Sequence, residues 1–263
     1  MSIALVTGPG SGIGRATALE LASRGLHLVA AGRSEARIKP VIDLIRQQGG
    51  SAEFLELDLA SFDSVRSAAS AFLATGRNLD VLVNNAGIGV NRRGLTENGF
   101  EVHFGINHLG HFLLTRDLGP AFRPGSRVVA VASAVHFRAN GIDFAAVRRP
   151  TRLIGYAEYG VSKLANVLFV RELARRQPQW NVYAVHPGLV DTDLIPGWVR
   201  LFTRRMLTPE QGADTVVWCA TSDEVSGDSG LYYQRRQVAD PSDAARDDDL
   251  ARDLWERSED WCA

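Results

Sequence analysis

The chain has 263 residues, of which 45% are hydrophobic and 22% are charged, and its formal net charge is −1. This composition excludes a mostly disordered chain, and the small net charge excludes long-range attraction to nucleic acid or to an anionic membrane. Cys219 and Cys262 are too few for a disulfide scaffold, and no apolar stretch is long enough to span a bilayer. We expect a cytoplasmic protein with no membrane anchor, no metal and no nucleic-acid partner.

Short apolar runs alternate with longer amphipathic stretches along the chain. The runs predict seven strands, at 3–7, 27–31, 53–56, 81–84, 127–132, 181–186 and 230–233. The amphipathic stretches predict six helices, at 14–24, 35–48, 62–75, 97–117, 158–177 and 209–220. This alternation is typical of the α/β class, with a single doubly wound, mostly parallel seven-stranded sheet and helices on both of its faces. We expect one domain over 1–240, including a substrate loop at about 189–208, with 241–263 as its C-terminal tail or short helix.

A glycine-rich turn, TGPGSGIG, lies between the first strand and the first helix. Glycines let the backbone approach a pyrophosphate, whose charge is stabilised by free N–H groups at a helix N-terminus. A tight turn without a ligand is the alternative, but the strand before it and the helix after it favour a Rossmann dinucleotide-binding turn. The residues expected to contact the cofactor here are Gly8, Ser11, Gly12, Ile13 and Gly14.

The end of the second strand bears on which dinucleotide binds. An NAD site usually has a carboxylate here for the ribose 2′-hydroxyl, whereas a basic side chain accommodates the 2′-phosphate of NADP. This strand ends at Gly32 and Arg33 with no acidic residue, so NADP(H) is preferred and NAD(H) stays possible. A surface arginine in a turn is the alternative. Other cofactor contacts are expected from Asp58, Leu59, Asn85, Ala86 and Gly87, although Asn and Gly also form plain turns.

Tyr159 and Lys163 lie four residues apart at the start of a predicted helix, and therefore on one face of it. A phenol has a pKa of about 10, and a nearby ammonium group together with a positive nicotinamide ring favours the phenolate. Lowering that pKa by about three units requires about 4 kcal/mol of differential stabilisation. Tyr159 is then a general acid toward a carbonyl oxygen or a general base toward an alcohol. Taken alone, the spacing is also found in exposed helix pairs.

Six segments together resemble the short-chain dehydrogenase/reductase family, in the order in which that family has them. They are TGPGSGIG at 7–14, NNAG at 84–87, Asn107 within INHLGHFLLT, Ser133 at the end of VVAVAS, YGVSK at 159–163 and PGLVDT at 187–192. HLGHFLLT and YGVSKLANVLFVREL are similar to the subgroup of retinol dehydrogenases and protochlorophyllide reductase-like proteins. Members of that subgroup often carry a membrane anchor, and we expect none here.

The resemblance implies a role for each matched residue. Ser133 holds the substrate oxygen beside Tyr159, which donates or accepts the proton. Lys163 binds the nicotinamide ribose and lowers the pKa of Tyr159, while Asn107 bends its helix and holds a water that connects Lys163 to solvent. The segment that contacts the nicotinamide amide includes Pro187, Gly188, Val190 and Thr192.

Ser133 and Tyr159 are separated by 26 positions, more than in many family members, so an insertion lies between the catalytic partners. The insertion at 134–157 and the loop at 189–208 are rich in apolar side chains, which predicts a lipophilic ketone, aldehyde or alcohol as substrate. Packing of these side chains on the body of the protein is an alternative of equal weight. The candidate pocket wall consists of Val135, Phe137, Phe144, Leu153, Ile154, Tyr156, Leu194, Ile195, Trp198, Leu201 and Phe202.

Several histidines lie close to these motifs. His103, His108 and His111 share one predicted helix, but neither a carboxylate nor a cysteine completes a metal set, so core or surface positions are expected. His136 is close enough in sequence to Ser133 to contact substrate, and a solvent-exposed position is the alternative.

The complete set of Asn107, Ser133, Tyr159 and Lys163 favours an NADP(H)-dependent oxidoreductase that acts on a carbonyl or alcohol substrate. A non-catalytic NADP(H)-binding regulatory module is the alternative, since it needs only the glycine turn. A sugar-nucleotide epimerase or dehydratase shares the Tyr–Lys pair but usually needs a larger C-terminal substrate domain. Family members commonly pair through the helices predicted at 97–117 and 158–177, which implies a homodimer or homotetramer.

Overall fold

The computed structural model describes residues 1–151, 154–191 and 206–263. Eight strands are found in these ranges: β1 (Ile3–Thr7), β2 (His27–Gly32), β3 (Ala52–Glu56), β4 (Leu79–Asn84), β5 (Phe122–Val131), β6 (Asn181–His186), β7 (Leu231–Gln234) and β8 (Gln237–Val238). They form one sheet in the order β3-β2-β1-β4-β5-β6-β7-β8, in which only the pair β7–β8 is antiparallel. The order reverses between β1 and β4, and ligands bind at such reversals in open α/β sheets.

Both faces of the sheet are covered by helices. Leu5 of β1 packs in the apolar cluster on one face, whereas its neighbours Ala4 and Val6 pack in the cluster on the other face. One layer consists of α1 (Gly12–Ser23), α2 (Glu35–Gln47) and α7 (Pro209–Thr221). The other consists of α3 (Phe62–Leu73), α4 (Val102–Phe104), α5 (Gly110–Asp117), α6 (Tyr156–Arg176), α8 (Asp243–Arg246) and α9 (Asp248–Trp261). The predicted doubly wound Rossmann fold is confirmed.

The described chain has eight strands where seven were predicted. The additional strand, β8, pairs with β7 through a two-residue turn in which Arg235 and Arg236 have φ angles of 53° and 57°. Hairpin turns of this kind usually contain Asn or Gly, because both central residues need a positive φ. Two arginines do not carry that signal, so the hairpin was not predicted.

The helix predicted at 97–117 begins later than expected. Residues 97–101 are not helical, and the Glu101 carboxylate caps α4 by accepting hydrogen bonds from His103 N and Phe104 N. A π-helical turn, Gly105–Leu109, then separates α4 from α5. Turns of this type interrupt the regular hydrogen bonding of a helix and are frequent at functional sites.

The C-terminal helix α9 contributes to the core. Its Leu254 and Trp255 are buried. The Trp255 ring lies 4.9 Å from the ring of Phe112 in α5 and stacks on Phe169 in α6 at 6.0 Å. α9 therefore packs against α5 and α6, which belong to the helices through which two chains were expected to associate. That association stays a prediction. Within the described ranges, no helix combines the length and the apolar composition needed to cross a membrane.

Candidate active site

A cleft opens at the carboxyl ends of β1, β4, β5 and β6, beside the reversal in strand order. Every predicted site residue in the described chain lines this cleft except Asn107, which lies behind its wall. These residues are Gly8, Ser11, Gly12, Ile13, Gly14, Arg33, Asp58, Leu59, Asn85, Ala86, Gly87, Ser133, Tyr159, Lys163, Pro187, Gly188 and Val190. Thr192, the remaining predicted contact, lies outside the described residues.

The glycine-rich turn has a backbone that suits a phosphate. Gly8 and Gly12 have φ angles of 67° and 54°, a region that favours glycine. A Cβ on Gly14 would lie 2.2 Å from Gly8 O and 2.4 Å from the side-chain nitrogen of Asn85, so any side chain there would collide with the turn. Ser11 precedes α1 without a side-chain capping bond, which leaves the N–H groups of the first helical turn for a ligand. The turn therefore fits the pyrophosphate of a dinucleotide.

The guanidinium of Arg33 stands at the rim of the cleft, directly after β2. It is exposed, and no described residue forms a hydrogen bond or an ion pair with it. Asp58 is the one acidic side chain among the described residues that line the cleft, and its Oδ1 accepts a hydrogen bond from Ala60 N at 2.9 Å. An unpaired cation at the rim therefore faces a cavity that can hold an anion.

A buried network fixes the loop that follows β4. The Thr7 hydroxyl accepts hydrogen bonds from Asn85 N and Ala86 N, both at 2.9 Å, and lies 2.9 Å from His111 Nε2. His111 Nδ1 lies 3.1 Å from the carbonyl oxygen of Asn107, so Nδ1 carries the proton and Nε2 accepts from Thr7. Burial lowers the pKa of His111 to about 4, which keeps the ring neutral at neutral pH. This link was not predicted, because Thr7 and His111 are 104 positions apart.

Asn107 lies in the π-helical turn and is fully buried. Its carboxamide accepts from Ile88 N at 2.9 Å and donates to Ile88 O at 3.1 Å and to Ser162 Oγ at 3.0 Å. A Cβ on Gly87 would lie 2.9 Å from the Asn107 side-chain oxygen. Asn107 therefore holds the loop after β4 against α6, at the irregular part of its helix.

Ser133, Tyr159 and Lys163 meet at the wall of the cleft. The side chains of Ser133 and Tyr159 both line the cleft, close enough for the Ser133 hydroxyl to act on the pKa of Tyr159. Lys163 Nζ lies 5.7 Å from the centre of the Tyr159 ring and donates to the Val131 carbonyl oxygen at 2.9 Å. Two hydroxyl groups and one amine are thus brought together on one side of the cleft.

The protein surroundings shift the pKa values of both ionisable groups. Burial raises the pKa of Tyr159, and the hydrogen bond with Ser133 opposes part of this effect. Burial also lowers the pKa of Lys163 to about 8. Within the chain itself, burial of the phenol therefore outweighs the effect of Ser133, and the lowering expected from Lys163 together with a positive nicotinamide ring stays a prediction. The phenol is protonated at neutral pH and can donate a proton.

Only part of the predicted pocket wall lines the cleft. Val135, Ile154 and Tyr156 do so, and Leu189 joins them from the loop after β6. Phe137 is half exposed and does not line the cleft. The predicted position of Phe144 is wrong, because its ring packs 6.0 Å from that of Trp261, under the guanidinium of Arg257. The remaining members lie outside the described residues: Leu153, Leu194, Ile195, Trp198, Leu201 and Phe202.

The four histidines noted in the sequence, His103, His108, His111 and His136, are all buried. His136 Nδ1 donates to the Ser133 carbonyl oxygen at 2.7 Å, and its Nε2 accepts from Ser242 N at 3.1 Å. Neither position predicted for His136 is correct, since it contacts neither the cleft nor solvent. His103, His108 and His111 are core residues, as expected, and no metal-binding group of three or more ligands is found in the described ranges. Glu101, which was not singled out from the sequence, lies 2.8 Å from His103 Nδ1.

The Rossmann sheet and its phosphate-binding turn define a dinucleotide-binding protein. The family model described as short chain dehydrogenase matches residues 2–199, and the chain belongs to the short-chain dehydrogenase/reductase family of NAD(P)-dependent enzymes. It is 44% identical to polyprenol dehydrogenase of Mus musculus, over 96% of this chain and 81% of that protein. It is 38% identical to retinol dehydrogenase 11 of Homo sapiens, over 97% and 84%. The resemblance to the retinol dehydrogenase subgroup is confirmed.

Solved structures show the same fold. An uncharacterized protein from Mycobacterium paratuberculosis has a TM-score of 0.84 and 33% identity, with 100% of this chain and 93% of that chain covered. An NAD(P)-dependent gluconate 5-dehydrogenase from Beutenbergia cavernae, solved with bound NADP, has a TM-score of 0.70 and 32% identity, with 88% and 93% covered.

Proposed function

We propose that the chain is an NADP(H)-dependent enzyme that interconverts a lipophilic carbonyl compound and its alcohol, with Tyr159 as general acid and base. The single observation that carries the proposal is the presence of the Ser133 and Tyr159 hydroxyl groups in one cleft with a phosphate-binding turn. Hydroxyl groups placed side by side are the donors that a carbonyl oxygen needs as negative charge develops on it.

The side chains divide the proton chemistry among them. A nicotinamide dinucleotide supplies or accepts the hydride when it is bound. Ser133 holds the substrate oxygen, and Tyr159 donates its proton to that oxygen during reduction and takes one from the alcohol during oxidation. Lys163 has two N–H donors besides the one bound to Val131, and these would hold the ribose hydroxyls. The nicotinamide amide would be contacted by Pro187, Gly188, Val190 and Thr192.

The preference for NADP(H) over NAD(H) rests on Arg33. Its guanidinium is exposed at the rim of the cleft and has no described partner, so it can pair with a 2′-phosphate without first breaking another interaction. The NADP-bound structural relative supports a nicotinamide cofactor in general. The choice between the two dinucleotides is therefore argued from this one side chain.

The proposal of a lipophilic substrate rests on the substrate end of the cleft. Val135, Ile154, Tyr156 and Leu189 line it, whereas Asp58, the one acidic side chain among the described residues of the cleft, follows β3 and is an expected cofactor contact. Polyprenol and retinol, in the names of the two relatives, are long apolar alcohols. A wall of this kind binds alkyl chains and polyenes by burial of apolar surface.

A substrate panel tests the proposal. NADPH oxidation is followed by absorbance with long-chain aldehydes, aromatic ketones and small charged keto acids at equal concentration. We expect turnover with the first two groups. Activity confined to the charged acids would contradict the lipophilic substrate. NADPH binding with no turnover on any carbonyl would favour the alternative, a non-catalytic NADP(H)-binding regulatory module.

The cytoplasmic location and the homodimer or homotetramer stay predictions. Both cysteines are free and buried, which is compatible with a reducing compartment. Cell fractionation and sedimentation analysis of the full chain test the two predictions separately.

A further inference from the structure

A buried acid–base pair lies beside the active site and takes no part in the proposed proton chemistry. Glu101 and His103 are 2% and 0% exposed, and Glu101 Oε1 lies 2.8 Å from His103 Nδ1. Glu101 also accepts hydrogen bonds from His103 N, from Phe104 N and, at a short distance, from the hydroxyl of Thr151. Every group around this carboxylate is therefore a donor.

The partners of His103 hold its ring from both sides. Its Nε2 lies 3.0 Å from the carbonyl oxygen of Gly89, which can only accept, and its Nδ1 faces the carboxylate of Glu101. Burial on its own raises the pKa of Glu101, but the hydrogen bonds from His103, Thr151 and Phe104 lower it overall, so the carboxylate is ionised. The ring therefore has an acceptor at each nitrogen, which fixes its position between Gly89 and Glu101.

This pair joins three segments that meet at Tyr159. Thr151 belongs to the insertion at 134–157, and Gly89 follows the loop after β4 that lines the cleft. Gly155, directly before α6, lies so close to His103 that a Cβ on it would be 2.5 Å from the ring carbon Cε1. Tyr159 N donates to Gly155 O at 2.9 Å, and the Tyr159 ring lies edge-on to the His103 ring at 6.3 Å.

We propose that Glu101, His103 and Thr151 form a clamp that positions the insertion and the first turn of α6, and thereby the Tyr159 hydroxyl, against the substrate. The three are positioning residues, since they act through Tyr159, and the inference rests on the function proposed for that residue. The buried hydrogen bonds to the Glu101 carboxylate hold one geometry, because removing a donor leaves a buried acceptor unsatisfied. A displacement of a reacting group by about 1 Å can cost about 100-fold in rate.

The clamp is tested first by removal of one hydroxyl. Thr151→Val should lower kcat by about 10- to 100-fold while the KM for the carbonyl substrate and the dissociation constant of NADPH change little. Thr151→Ser keeps the hydroxyl and should restore most of kcat. Thr215→Val is the matched control: Thr215 is a buried threonine in α7 whose hydroxyl accepts from Arg236 N at 3.2 Å, and its loss should lower the melting temperature without lowering kcat.

A second variant acts on the clamp from the other side. Gly155→Ala pushes a methyl group into His103, whereas Gly25→Ala introduces an alanine at a similar φ, 85° against 75°, with no atom within 4 Å. We expect a loss of kcat in Gly155→Ala only, with NADPH binding retained in both. Tyr159→Phe is measured beside them. Unaffected turnover in Tyr159→Phe overturns the proposed function. If turnover is lost in Tyr159→Phe but kcat is unchanged in Thr151→Val and Gly155→Ala, the clamp alone is overturned.

Discussion

The two halves of the cleft are built in different ways. The cofactor half, around the glycine-rich turn, takes its shape from the backbone of residues close in sequence, where Gly14 leaves no room for a Cβ. The half around Tyr159 takes its shape from side chains that are far apart in sequence, such as Thr151 on Glu101 and His136 on Ser242. Backbone geometry is therefore the vulnerable feature of one half, and buried polar contacts are the vulnerable feature of the other.

A methyl group in the glycine turn should have the largest effect on cofactor binding. A Cβ at Gly14 would meet the Gly8 carbonyl oxygen at 2.2 Å, and backbone atoms cannot move aside as a side chain can. We expect Gly14→Ala to weaken NADPH binding by about 100-fold or more, equivalent to about 2.7 kcal/mol, measured by fluorescence titration. Gly119→Ala, whose nearest neighbour would be 3.9 Å away, is the control. Unchanged affinity in Gly14→Ala would remove the contrast between the two halves.

Arg33 is the exception in the cofactor half, because its contribution comes from a side chain. Charge-assisted hydrogen bonds contribute about 1.5–3 kcal/mol, and an exposed position favours the lower end, so Arg33→Ala should weaken NADPH binding by about 10-fold. NADH lacks the 2′-phosphate, and its affinity should change little. Titration of both dinucleotides against both proteins checks this, and equal losses would contradict the preference for NADP(H).

Mild acid should lower the free energy of unfolding through two buried histidines, His108 and His111. Burial lowers the pKa of His108 to about 3 and that of His111 to about 4, against 6.5 for an ordinary histidine. Because the unfolded chain binds these protons first, stability is complete above about pH 6.5 and falls below it, by about 1.4 kcal/mol per histidine at about pH 5.5. Urea unfolding at about pH 7 and about pH 5.5 measures the difference. His108→Phe should reduce this difference, and an unchanged difference in that variant would contradict the role assigned to His108.

The cofactor half was largely predictable because its signals are local. The turn, the strand before it and the helix after it are consecutive, and glycine reports directly on backbone conformation and close approach. Ser133 also lies at the cleft, shortly after the end of β5, because the carboxyl ends of parallel strands meet at one edge of the sheet.

The other half was only partly predictable. An apolar side chain in a long loop can face the cleft or the core, and the sequence does not distinguish Ile154, which lines the cleft, from Phe144, which packs on Trp261. The hydrogen bond of Thr151 to Glu101 joins residues that no local pattern connects. The lowered pKa expected for Tyr159 stays a prediction, because it depends on a positive nicotinamide ring, whereas the burial that raises this pKa comes from the fold.

Proton transfer by Tyr159 is tested in the variant Tyr159→Phe. The NADPH dissociation constant and kcat for a lipophilic aldehyde are determined on the same sample. Phenylalanine removes one hydroxyl at the wall of the cleft and leaves the glycine turn and Arg33 unchanged. We expect unchanged NADPH affinity and a kcat reduced by about 100-fold or more, the size expected for loss of general acid catalysis. Turnover close to that of the unmodified protein would contradict it.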